Sequence, residues 1–285
     1  MLRGKRVLLA RPLLMGVVNV TPDSFSDGGR YLGVDAATRH AAQLVEEGAD
    51  LLDIGAESSR PGAQALPLEE EMRRLLPVLR SCSGLGVPLS VDTYKPEIMR
   101  LAVQHGAAML NDIWGYRRPG AQAAAIDAAR AGTVLAIMHM QRDPASMQDQ
   151  PGYVDVVAEV RDFLAGRVSE LQALGVARDQ MVVDPGFGFG KTVAHNLSLL
   201  RDLRVLCSLG VPVLAGLSRK STIGAITGRE VPDQRVHGSV AAALIAVQNG
   251  ATILRVHDVA ATRDALRVWA AVSGSQPAED RKSVV

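Results

Sequence analysis

Aromatic side chains are scarce in this chain, 4% of its 285 residues, so Val, Leu, Ile and Ala must build its core. Cysteine is scarcer still. Cys82 and Cys207 lie far apart without metal-ligand spacing, which reads as two buried thiols in a reducing cytosol and points to a cytoplasmic location. An excess of one charge is also missing: 31 Lys and Arg face 30 Asp and Glu, a net charge of +1. That balance argues against a nucleic-acid surface and against a polybasic membrane patch. No stretch approaches the ~18 uninterrupted apolar residues of a membrane span. The N-terminus has the basic start and apolar stretch of a signal peptide. Arg11 and Pro12 interrupt it and no small-residue cleavage site follows, so it reads as mature sequence.

What the chain does have is apolar residues, 47% of the total, in a recurring arrangement. The length suits either two ordinary domains or one α/β barrel, for which about 250 residues is typical. Short apolar runs at 15–20, 51–54, 88–91, 107–110, 133–138, 181–183, 212–216 and 252–256 each lead through a turn into a helical pattern. They lack polar alternation, as parallel strands buried on both faces do. The helical patterns cover 36–47, 68–80, 96–104, 121–131, 154–174, 194–206, 235–249 and 260–272, and several stop at a glycine in the manner of a C-cap. No linker splits the series. Eight β-α units in one domain predict a (β/α)8 TIM barrel over residues 1–274, with 275–285 as a disordered tail; a doubly wound sheet is the alternative.

In such a barrel the active site lies where the strands end at their C-terminal face. The first polar residues past each apolar run are therefore the candidates: Asn19; Asp53 and Glu57-Ser-Ser-Arg60; Asp92; Asn111-Asp112; His139; Asp184; Ser218-Arg-Lys220; and Arg255 with His257. Amides and carboxylates come from the early and middle strands, cations from the last two, where barrels commonly bind phosphate. A hydrogen-bonding heterocycle with a phosphate at its far end matches that distribution.

The motifs carry a family resemblance. Asn19-Val-Thr-Pro-Asp-Ser-Phe-Ser-Asp-Gly-Gly29, Gly55-Ala-Glu-Ser-Ser-Arg-Pro-Gly62, Val91-Asp-Thr93, Asn111-Asp-Ile113, Asp184-Pro-Gly-Phe-Gly-Phe-Gly-Lys191, Leu217-Ser-Arg-Lys-Ser221 and Arg255-Val-His-Asp258 together resemble the dihydropteroate synthases of bacterial folate biosynthesis. The resemblance runs in order from about Met15 to Val272. It implies the pterin-binding (β/α)8 fold and a transferase that joins 6-hydroxymethyl-7,8-dihydropterin pyrophosphate to p-aminobenzoate, releasing pyrophosphate with the help of Mg2+. It further implies a homodimer and inhibition by sulfonamides.

Carried onto matching positions, the resemblance implies that Asp184 and Asn111 hold the amino-pyrimidine edge of the pterin, an acceptor and an amide for its donors. Asp92 would lie beneath the ring, Lys220 would donate to its carbonyl and ring nitrogen, and Met138 would pack on its face. Arg255 and His257 would bind the pyrophosphate, with Asn19 holding its Mg2+. Ser59, Arg60 and Pro61 would enclose p-aminobenzoate, whose carboxylate would meet Ser218 and the amides beside it and whose ring would meet Phe189. Asp92, Asp184, Lys220 and Arg255 are the expected catalytic groups.

Two positions depart from the usual family pattern: Ser59 replaces a threonine in Glu-Ser-Thr-Arg-Pro-Gly, and Arg142 stands where glycine is common. Other readings remain beside these. The run ending in Lys191 resembles a P-loop, but Pro185 takes the place of its first glycine, so Lys191 reads as a solvated loop charge. Glu69-Glu-Glu71 with Arg73-Arg74 reads as a solvated helix face with i,i+4 pairing. A methyltetrahydrofolate-dependent methyltransferase on the same barrel and a non-catalytic pterin-binding paralogue are the rival functions.

Overall fold

Each apolar run becomes a strand, because its Val, Leu, Ile and Met residues have packing partners on both faces of the sheet. The computed structural model describes residues 11–20, 30–55, 57 and 65–274. Strand β1 (Leu13–Asn19) is followed by α1 (Arg30–Glu46), β2 (Leu51–Gly55), α2 (Leu68–Cys82), β3 (Leu89–Asp92) and α3 (Pro96–Gln104). Next come β4 (Met109–Asp112), α4 (Ala121–Arg130), β5 (Val134–Met138), α5 (Val156–Ala173) and β6 (Met181–Asp184). The chain continues through α6 (Val193–Arg201), α7 (Arg204–Cys207), β7 (Leu214–Ala215), α8 (Ser221–Thr227), α9 (Val236–Gln248), β8 (Ile253–Val256) and α10 (Val259–Ser273).

The strands form one parallel sheet in the order β6-β5-β4-β3-β2-β1-β8-β7. Its two ends meet through a parallel bridge between Val183 and Val213 and a bond from the Val183 N–H to the Pro212 carbonyl, 2.9 Å. The fold is therefore a (β/α)8 TIM barrel. Alternation along the strands sorts side chains into two layers. Leu13, Met15, Leu51, Met109, Val134 and Ile253 plug the lumen, while the opposite faces pack against the helices.

Local chemistry sets the helix ends. Asp155 caps α5 by accepting from the Val157 and Ala158 amides, both at 3.0 Å. Thr192 and His195 form a capping box at the start of α6. The expected glycine stops hold: Gly48, Gly106, Gly132, Gly175 and Gly250 take φ of 104°, 91°, 85°, 94° and 100°.

The helix expected over 194–206 is interrupted, since α6 ends at Arg201 and α7 begins at Arg204. The seven-residue α8 was not expected at all. Cys82 is buried, which raises its thiol to about 11, but Cys207 is only half-buried, against the expectation of two buried thiols. The expected tail at 275–285 lies outside the described residues. No helix among the described residues is long and apolar enough to cross a membrane.

Candidate active site

Two residues beyond the apolar plug, the same inward positions turn polar. Leu51 is followed by Asp53, Met109 by Asn111, Val182 by Asp184 and Ile253 by Arg255. The Arg255 guanidinium spans this layer. Its Nε donates to Asp53 Oδ2 at 2.6 Å and its Nη2 to Asp92 Oδ2 at 3.0 Å. Burial alone would lower the guanidinium's pKa, but Asp53 and Asp92 outweigh it and hold it raised. Burial pushes the Asp92 carboxyl up to about 7 against the pull of Arg255. Asn111 Nδ2 donates to Asp53 Oδ2 at 3.2 Å. The buried Asn111 Oδ1 and Asp53 Oδ1 have no protein partner, leaving acceptors at the floor of the site.

Across the lumen, Asp184 Oδ1 accepts the Gly186 amide at 2.7 Å, and burial raises its pKa against the nearby Lys220. Lys220, in the segment after β7 and immediately before α8, donates to the Phe187 carbonyl, and its Nζ stands 4.7 Å from the Phe189 ring centroid. Burial lowers its pKa to about 8, opposed by Asp184. Met138 is buried in a cluster with Ile113, Met140 and Met147, against which the half-buried Phe189 packs. A Cβ at Gly186, where φ is 67°, would stand 2.0 Å from the His139 carbonyl oxygen, so only glycine lets this loop pass the end of β5.

Just past the last strand, His257 is joined to Ser218. The Ser218 hydroxyl accepts the His257 amide at 3.1 Å and lies 3.0 Å from Nδ1. Burial and then the charge of Arg255 lower the imidazole to about 4, so it is neutral near pH 7. Asn19, the last residue of β1, is exposed at the rim. The structure thus brings Asp92, Asn111, Asp184, Lys220 and Arg255 around one lumen. Ser59, Arg60 and Pro61 lie outside the described residues, as does the loop at 21–29.

Several side chains do not behave as their sequence context led one to expect. Asp112 is committed to structure, its two oxygens each accepting at 2.8 Å from the Trp114 and Tyr116 amides. Lys191 is not solvated: it is 3% exposed and donates to buried carbonyls. Glu70 pairs with Arg73 and Arg74 as expected of a solvated face, but Glu71 is buried against Lys95 and Thr93. Lys95 also reaches Glu57 at 2.5 Å, and Glu57 accepts from the Tyr94 hydroxyl at 2.8 Å. Arg142 donates within its own loop, to the Asp149 carbonyl at 2.6 Å. Asp53 appeared among the strand-end residues without a role, although its spacing from Leu51 was the available signal that it faces the lumen.

The family of pterin binding enzymes matches over residues 15–257. A dihydropteroate synthase of Neisseria meningitidis serogroup B is 49% identical over 269 residues, spanning 93% of this chain and 94% of its own length. The chain belongs to the dihydropteroate synthase family of pterin binding enzymes. Within that family, the Xanthomonas albilineans dihydropteroate synthase solved with 4-aminobenzoic acid is 56% identical, with a TM-score of 0.87 over 94% of this chain and 95% of that one. The Yersinia pestis dihydropteroate synthase in a sulfonamide drug complex is 42% identical, with a TM-score of 0.89 over 96% and 98%.

Proposed function

We propose that the lumen binds 6-hydroxymethyl-7,8-dihydropterin pyrophosphate and the rim binds p-aminobenzoate, and that their condensation gives 7,8-dihydropteroate and pyrophosphate. One observation carries the reading: Asp53, Asp92 and Arg255 form a fixed charge layer facing Asp184 and Lys220, with hydrogen-bonding groups left over. The unpartnered Asn111 oxygen and the Asp184 carboxylate suit the amino-pyrimidine donors of a pterin, and the Lys220 ammonium suits its carbonyl. Met138 supplies an apolar wall for the ring.

The chemistry asks for electrostatics more than for proton transfer. The bond from the exocyclic methylene to oxygen breaks with its electron pair leaving on pyrophosphate, in an SN1-like step. The dihydropterin cation that remains is stabilised by Asp92 and Asp184. The arylamine lone pair then forms the new C–N bond, and its proton passes to solvent. Arg255 stands at the leaving-group side, with His257 beside it as a neutral donor. Fixed geometry supplies much of the acceleration, because both reactants are held in place.

Among the described residues no cluster of His, Cys, Asp and Glu is built to hold a metal by itself. Exposed Asn19 fits the Mg2+ of a pyrophosphate complex, since that ion keeps its waters and takes few protein ligands besides phosphate oxygens. When bound, Mg2+ neutralises charge on the departing pyrophosphate.

For p-aminobenzoate, Phe189 offers the ring face. The Ser218 hydroxyl, which also meets His257, and the amides beside it would bind the carboxylate. Ser59, Arg60 and Pro61 would complete the enclosure. Sulfonamides carry the same para-substituted aniline and would compete there, as the drug-bound Yersinia pestis relative supports. A homodimer is supported by outward apolar residues such as Ile226, Ile245 and Val268, and a cytoplasmic location by the free thiols.

The test is pyrophosphate release from dihydropterin pyrophosphate and Mg2+, with and without p-aminobenzoate. Release that depends on p-aminobenzoate and yields dihydropteroate is expected. Pterin binding without turnover would instead indicate a non-catalytic pterin-binding protein.

A further inference from the structure

Lys191 is a buried amine that the proposed chemistry leaves idle. It closes the loop that carries Phe189, and its Nζ lies 2.9 Å from both the Gly186 and Phe189 carbonyl oxygens and 3.0 Å from His139 Nδ1. With a longer contact of 3.4 Å to the His139 carbonyl oxygen, these acceptors suit the three hydrogens that only an ammonium has, although burial pulls the group down to about 7. Burial and the neighbouring Lys191 charge hold His139 at about 2, so its ring is neutral and presents a lone pair.

The rest of the loop is held carbonyl by carbonyl. Lys220 takes Phe187, Gln148 takes Gly188 at 2.6 Å, and Tyr153 takes Gly190 at 2.9 Å. Asp184 and Phe189 differ in what fixes them. Asp184 belongs to β6, pairs in register with Met138, and its carbonyl accepts the His139 amide at 3.0 Å. Phe189 has no strand ladder. Its backbone is held by its own N–H to the Gly186 carbonyl, at 3.1 Å, and by Lys191, which bonds both ends of that same turn. Removing the ammonium therefore loosens Phe189, at the far end of the turn, while the β5–β6 ladder holds the Asp184 backbone and the Gly186 amide, next to that strand, still meets its carboxylate.

We propose that Lys191 is a positioning residue for the arylamine substrate, acting through Phe189 rather than touching either reactant. The inference rests on the assignment of Phe189 to p-aminobenzoate. Lys191→Met keeps the aliphatic stem and removes all three donors. In the full-length enzyme its KM for p-aminobenzoate is expected to rise about tenfold, with kcat and the Kd for dihydropterin pyrophosphate each within about threefold of wild type. Retained pterin binding in the same sample reports an intact barrel. Should that variant fail to fold, Lys191→Gln, which keeps one donor group, is read by the same criteria.

Phe189→Ala separates the two ways of failing. An unchanged KM for p-aminobenzoate in Phe189→Ala would refute the subsite assignment beneath the inference. A raised KM there, with an unchanged one in Lys191→Met, would refute the role of Lys191 alone. The double variant is expected to be no worse than Phe189→Ala; additive losses would show that Lys191 acts elsewhere. Equal loss of pterin affinity and p-aminobenzoate affinity in a folded Lys191→Met would likewise overturn the proposal.

Discussion

The lumen has two storeys built from the same strands. Below, Leu13, Met15, Leu51, Met109 and Ile253 close the barrel with an apolar plug that is almost wholly inaccessible. One inward step higher, Asp53, Asp92, Asn111, Asp184 and Arg255 surround the site. The backbone is alike in both, so the contrast isolates side-chain chemistry. The plug is stabilised by burial and tolerates no void, whereas the upper layer stays buried only because its charges are mutually compensated. Stability should therefore depend on volume in the lower storey and on pairing in the upper one.

The sharpest break in that contrast is Arg255→Met, which leaves Asp53 and Asp92 without their cation. Turnover is expected to fall by about 10²–10³-fold, and stability by about 3–5 kcal/mol, as for a broken buried pair. Adding Asp53→Asn should recover stability in a denaturant titration but not turnover. Recovery of both would mean that Arg255 serves only the fold.

In the lower storey the same kind of measurement should give the opposite split. Met109→Ala is expected to cost about 2–5 kcal/mol through the cavity it leaves, with kcat per folded molecule unchanged. A large loss of kcat would show that the plug shapes the site. Asp184→Asn keeps the shape and removes the charge. Calorimetric affinity for dihydropterin pyrophosphate should fall by about 1.5–3 kcal/mol, as for hydrogen bonds to a charged group, while the melting temperature moves little.

The smallest effect concerns pH. His139 titrates at about 2 when folded, below its ordinary 6.5, so below pH 6.5 the unfolded chain binds the proton that the folded one refuses. Its contribution to stability is present above pH 6.5 and is lost as the pH falls. Asp92 and Asp112, raised to about 7, act in the opposite direction, but they do so equally in a His139 variant. Stability of His139→Gln, measured between pH 6 and 4, should decline less steeply than wild type, by at most about 1.4 kcal/mol per pH unit. Parallel curves would mean that the ring accepts a proton in place.

Legibility from sequence followed the range of the interactions. Strands buried on both faces announce themselves as apolar runs, and every one expected was found. Helix 194–206 was read through its break because Arg201-Asp-Leu-Arg204 contains neither glycine nor proline. Lys191 and Glu71 were read as solvated because ionised groups are seldom buried unpaired. Their partners are distant: Lys95 lies 24 residues beyond Glu71, and His139 lies 52 residues before Lys191. No local pattern contains such a pair.

The sequence by itself determined the period of the strands, the number of βα units and which residues stand at the strand ends, because these depend on local burial and backbone geometry. It also carried the motifs that place the chain in its family. Only the tertiary structure decided who meets whom in the lumen. Arg255 finds Asp53 across 202 residues because β8 closes against β1 and β1 against β2, and that closure is a property of the whole sheet.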